Sequence, residues 1–95
     1  ELFHSMQNVI AEIDVQGGEV GRYGHGLGMQ LTEWPSHADF DETVLEENMV
    51  ITLEPSLNYG GGLIMVHEEN IVVQNGAPRL LSMRAPPELP IIGGR

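Results

Sequence analysis

Apolar residues recur at steps of three and four near the start of the chain, at Leu2, Phe3, Met6, Val9, Ile10 and Ile13. That is the period of a helix with one buried face, so the spacing predicts a helix over residues 2–13, ended by Gly17-Gly18. It reads as a core element, with His4 near its start as a structural or exposed residue. The pattern then changes. Residues 20–32, VGRYGHGLGMQLT, hold four glycines, which argues against a packed helix and for backbone lying close to another group. Residues 33–48 are polar and acidic, with Pro35, Asp39, Asp41, Glu42, Glu46 and Glu47, and read as a surface loop leading into a strand. That strand is MVITLEP at 49–55, where Met49, Val50, Ile51 and Leu53 flank Thr52 and Pro55 closes the run. Gly60-Gly61-Gly62 predicts a turn. LIMVHEENIVV at 63–73 is β-rich with a polar interruption at 67–70, Asn75-Gly76 signals another turn, and 79–82 makes a short last strand. The tail APPELPIIGGR is Pro-rich and extended. The pattern is one helix followed by several antiparallel strands, an α+β arrangement with a glycine-rich tip on the first hairpin.

Length and charge narrow the picture. A chain of 95 residues is one small domain at most, and one this short buries only roughly 60–65% of its unfolded surface. Opening on Glu1 rather than Met, it is expected to be a piece of a longer protein. Four basic residues against fourteen acidic give a net charge of −10, the wrong sign for a nucleic-acid surface. With no cysteine, disulfides and thiolate metal sites are excluded, and any metal must use His, Asp and Glu. No apolar run reaches the roughly 18 residues of a membrane span.

Three residues stand out chemically. His25 lies inside GHGLG, with little side-chain bulk around it, so a substrate or ion can approach. Glu54 ends an apolar strand, and Glu68 sits in an apolar strand run beside Glu69. A carboxylate buried in a strand costs several kcal/mol unless paired or coordinated. The chain offers no Lys and only Arg22, Arg79, Arg84 and Arg95 as fixed cations, so a metal is one answer. The other is that both carboxylates sit at strand ends facing water.

The order GHGLG, TLEP, HEENIVV resembles the pita-bread metallopeptidases: methionine aminopeptidase, Xaa-Pro dipeptidase, aminopeptidase P and creatinase. Their blocks are GHGxG, T[IL]EP and E-x-x-[IV]-[LV]-V, and the resemblance covers residues 20 to about 84 plus the preceding helix. The short distances between blocks are most similar to the dipeptidase branch. The resemblance implies that residues 1–95 are the C-terminal part of a pita-bread catalytic domain whose N-terminal half is absent from this chain. It implies His25 as the single His metal ligand, Glu54 as a ligand that also acts on the nucleophilic water, and Glu68 as the carboxylate bridging two ions. Two Asp ligands would come from earlier strands, leaving this piece inactive alone. The implied cofactors are two divalent ions (Mn, Co, Fe or Zn), and the implied reaction is attack of metal-activated water on a peptide carbonyl.

Three positions depart from the family pattern. Seven residues after the ligand His, where a second His usually contacts substrate, stands Thr32. Ser56 replaces Gly after TLEP, and Val66 stands where an Arg often precedes the third block. Thr32 and Trp34 are expected to contact substrate, and His37 and His67 to lie on loops or the surface. Thr32 favours a non-peptide substrate, as in creatinase-like, ectoine hydrolase-like or dimethylsulfoniopropionate lyase-like enzymes. A third alternative is a metal-free binding scaffold, against which the presence of His25, Glu54 and Glu68 together argues. The full-length protein is expected to be a cytoplasmic homodimer acting on a small peptide or small molecule, with neither nucleic acid nor membrane as partner.

Overall fold

The computed structural model describes residues 1–12 and 22–93. Helix α1 spans Leu2–Ala11, as the three-and-four spacing predicts. Ile13 and the stop at Gly17-Gly18 lie outside the described residues. None of the helix's residues is fully buried, which corrects the expectation of a core element. Near its start Phe3 stacks on Tyr23 at 5.2 Å between ring centroids and His4 Nε2 lies 2.9 Å from Asp39 Oδ1. Met6, Val9 and Ile10 line an open apolar groove with Ser5 and Pro55.

Among the described residues seven short strands follow: β1 His25–Gly26, β2 Glu33–Ser36, β3 Val50–Leu53, β4 Ser56–Gly60, β5 Leu63–Val66, β6 Glu69–Val72 and β7 Arg79–Leu80. Five form an antiparallel sheet in the order β2-β1-β3-β6-β7, and β4-β5 make a separate two-stranded ribbon turning at Gly61-Gly62. The ribbon is the hairpin that the glycine run predicts, and φ angles of 80°, 62° and 80° at Gly60, Gly61 and Gly62 explain the residue type. With one helix and antiparallel sheets, the fold is α+β.

The register of the central pair decides which side chains share a face. Val50 lies opposite Val72, Ile51 opposite Ile71, Thr52 opposite Asn70 and Leu53 opposite Glu69. Because side chains alternate along a strand, Ile51 and Ile71 fall on one face and Thr52 and Asn70 on the other. Ile51 and Ile71 are both buried, with Tyr23 and Ala38. Burying one such Ile is worth about 1.5–3 kcal/mol. Among the described residues the polar His25, Ser36, His37 and Thr52 are also buried. Buried polar groups persist when hydrogen-bonded, and most of these build the site below.

Residues 33–48 depart from the expected surface loop. Their first four form β2, and Pro35, Ser36, His37 and Ala38 are buried. The reason is the glycine-rich strand beside them. A Cβ on Gly26 would run into the carbonyl oxygen of Trp34, so only glycine lets β2 press against β1. Asp41 anchors the end of β2, accepting hydrogen bonds from Ser36 N at 2.8 Å and Thr43 N at 2.9 Å. A side-chain hydrogen bond from Thr43 foremost, and then these two backbone bonds, hold its carboxyl below the usual Asp range. The other acids of the stretch, Asp39, Glu42, Glu46 and Glu47, remain exposed. Among the described residues no helix is long and apolar enough to cross a membrane.

Candidate active site

His25 and Glu54 meet. The imidazole Nε2 lies 2.8 Å from Glu54 Oε1, with the His side chain buried and the Glu side chain about one quarter exposed (24%). The other ring nitrogen is already engaged: Nδ1 lies 2.8 Å from the Gly26 carbonyl oxygen. A carbonyl only accepts, so Nδ1 carries the proton and Nε2 is the atom presented to Glu54. Glu54 can then either accept a hydrogen bond from Nε2 of a ring protonated on both nitrogens, or share a cation with the bare Nε2 of the neutral ring.

Thr52 sets the geometry of both. Its Oγ1 accepts a hydrogen bond from the His25 backbone N–H at 3.0 Å and donates to Glu54 Oε1 at 3.3 Å. Two residues apart on one chain, Thr52 and Glu54 sit on the same side, as strand alternation requires. The backbone completes the arrangement, with Glu54 N donating to Tyr23 O at 2.8 Å and Leu27 N to Val50 O at 3.0 Å.

Behind Thr52 stands His37, expected on a loop or the surface and instead buried. Its Nε2 donates to the Thr52 carbonyl at 2.8 Å, and its N–H bonds Gly24 O at 3.0 Å. Burial, followed by the nearby His25, pulls its pKa below the ordinary 6.5, against opposing contributions from the Thr52 hydrogen bond, Asp41 and Glu54. His37 therefore stays neutral where an exposed His would begin to charge. Gly24 makes room for it: a Cβ there would collide with both the Thr52 carbonyl and the His37 ring.

The remaining predicted residues lie elsewhere. Glu68 is exposed and lines a groove with Met65, Val66, His67 and the Pro-rich tail from Ala85 to Pro90. Among the described residues no three His, Asp or Glu side chains gather closely enough to hold a metal ion, so the expected convergence of His25, Glu54 and Glu68 is not seen. The β3-β6 pairing ends at Leu53 and Glu69, so Glu54 and Glu68 each lie one residue beyond it. Glu69, its neighbour, accepts from Ala85 N at 2.9 Å and lies 3.4 Å from His67 Nε2. Thr32 is exposed, and Trp34, 73% exposed, is no core residue, touching Phe40 edge-on at 6.4 Å. Both line a separate groove with Arg22, Gln30, Glu33 and Ser36. Sequence reasoning passed over Thr52 and His37. The period-two placement of Thr52 before Glu54 was the one available signal.

An imidazole nitrogen and a carboxylate oxygen converge, two donors of the kind a borderline divalent ion takes. One further atom fits. Asn70 Oδ1, opposite Thr52 in register, is buried with no hydrogen-bond partner.

Comparisons with known proteins point to one family. Residues 1–75 match Metallopeptidase family M24. The chain is 36% identical over 83 residues to the Xaa-Pro dipeptidase of Pyrococcus furiosus and 39% identical over 85 residues to that of Pyrococcus horikoshii. Each match covers 84% of this chain and 23% of the relative. The crystal structure of the prolidase from Pyrococcus horikoshii OT3 superposes with a TM-score of 0.73 at 33% identity, over 83% of this chain and 23% of that one. The chain thus spans about a quarter of the length of the relatives it matches.

Proposed function

This chain belongs to metallopeptidase family M24, and we propose that it forms the C-terminal part of a dinuclear metal-dependent peptidase of the Xaa-Pro dipeptidase type. The observation that carries the reading is the pairing of His25 Nε2 with Glu54 Oε1 at 2.8 Å. In this reading His25, Glu54 and Glu68 would hold the metal ions, with two Asp ligands supplied from outside residues 1–95. Divalent ions held there would supply Lewis acidity, lowering the pKa of a bound water and polarising a carbonyl.

The chain's own groups do the rest. The Gly26 carbonyl fixes the ring of His25 through Nδ1–H, so Nε2 keeps its aim. Thr52 holds Glu54 from one side. The partly exposed Glu54 carboxylate can take a proton from water and pass it to the leaving amine, a role worth about 100–10,000-fold. The test is hydrolysis of Xaa-Pro dipeptides by the full-length protein loaded in turn with Mn, Co, Fe or Zn. Proline release that Glu54→Gln reduces at least about 100-fold supports the reading. No release with any of the four ions, or His25→Ala turning over like the wild type, overturns it. Residues 1–95 alone should hydrolyse nothing.

Thr32 supports a second reading, a same-fold enzyme acting on a non-peptide small molecule. It stands seven positions after His25 on a groove that also holds Arg22 and Trp34. A hydroxyl there reaches less far than an imidazole and stays neutral. Under this reading Thr32→His lowers the native activity by crowding; under the peptidase reading it preserves or raises Xaa-Pro cleavage. The proposal extends to a cytoplasmic homodimer whose partners are small substrates. The acidic balance supports the absence of nucleic acid, and no membrane partner is proposed.

A further inference from the structure

We infer that Asn70 is a further site residue, whose Oδ1 accepts a hydrogen bond from a donor bound beside His25 and Glu54. The inference rests on the metallopeptidase reading of that pair. Asn70 lies directly opposite Thr52 across the β3-β6 pair, so its side chain shares the face from which Thr52 reaches His25 and Glu54. Directly opposed side chains on an antiparallel pair are about 4.5–5.5 Å apart at Cβ. Its Oδ1 is buried and unpartnered, the one such side-chain atom among the described residues. An acceptor taken from water and given no donor is costly. The Thr52 hydroxyl, on the residue opposite, has a single proton and donates it to Glu54. No described residue supplies the donor; a group bound at the site would.

The chemistry required is an N–H or O–H group, and it has two sources: a water held with the cation, or an amino group of the substrate. Asn70→Leu removes the acceptor at similar volume, and Asn70→Asp keeps an oxygen in the same place. The full-length protein is titrated with Mn(II) and assayed on an Xaa-Pro dipeptide, and each variant's unfolding midpoint is measured. If the donor is water, Asn70→Leu weakens Mn(II) binding by about 10–100-fold, as loss of an outer contact to a metal ligand does, and Asn70→Asp does not. If the donor is the substrate amine, Mn(II) binding is unchanged and KM rises roughly tenfold or more in Asn70→Leu alone. A purely structural Asn70 behaves differently: in Asn70→Leu Mn(II) affinity and KM are both unchanged whatever happens to the unfolding midpoint, and that result overturns the inference. Should Asn70→Leu not fold, Asn70→Ser decides by the same two readouts. A wild type that binds no Mn(II) and cleaves nothing refutes the metallopeptidase reading itself; a working wild type matched by Asn70→Leu refutes only the role of Asn70.

Discussion

Replacing Thr52 by Val separates the structural work of this residue from its work in the site. The side chain is 1% exposed, so Val fills the same space and keeps the burial. What disappears is the hydroxyl. The His25 backbone N–H loses the acceptor it holds at 3.0 Å, and an unmet buried donor costs about 1–3 kcal/mol. Part of that is offset because a hydroxyl no longer has to be buried. The bond to Glu54 at 3.3 Å is long against the usual 2.7–2.8 Å or so and adds little stability. The expected net loss is about 1–2 kcal/mol. Thr52→Ser keeps the hydroxyl and loses one methyl, about 1 kcal/mol. The two variants thus unfold at similar denaturant concentrations but differ in the site. Val leaves Glu54 and His25 without their shared hydroxyl, so Mn(II) affinity of the full-length protein falls about 10–100-fold, whereas Ser stays near wild type. Urea unfolding and calorimetric Mn(II) titration read the two quantities. Wild-type affinity in Thr52→Val, or equal loss in Ser and Val, would show that Thr52 does not position the pair.

Three further outcomes are expected. His37 has a pKa held below 6.5, chiefly by burial, so the unfolded chain takes up a proton that the folded one refuses. Its contribution to stability is complete above pH 6.5 and is lost as pH falls through the lowered folded value. Urea midpoints should drop across that acid window and drop less in His37→Gln; identical slopes would remove His37 from the account. Gly24 has φ of 152° and no room for a Cβ beside the Thr52 carbonyl and His37, so Gly24→Ala should cost more than about 2 kcal/mol, and a neutral result in thermal unfolding would contradict the packing. Ile51 is 1% exposed and faces Ile71, so Ile51→Ala should cost about 2–5 kcal/mol, against little change for the exposed Val44→Ala; equal midpoints for the two would show that this pair is not the core.

The sequence by itself determined the features that depend on neighbours along the chain. Helix α1, the strand through Ile51, the glycine turn before Leu63 and the break before Glu69 all follow from spacing and turn chemistry, which act over a few residues. The blocks around His25 and Glu54 named two residues that meet in space. Tertiary structure decided what depends on pairing between distant segments. Nothing in the acidic run 33–48 announces that Pro35 to Ala38 are buried, because their burial comes from β1, where Gly26 admits the Trp34 carbonyl. His37 looks like a loop histidine until the fold carries it to the Thr52 carbonyl, 15 residues on. Glu68 reads as a mid-strand carboxylate, yet β6 begins one residue later, at Glu69, and Glu68 is exposed. Residue type and period report local preference, whereas partner, register and the donor each buried polar atom finds are set only when the strands come together.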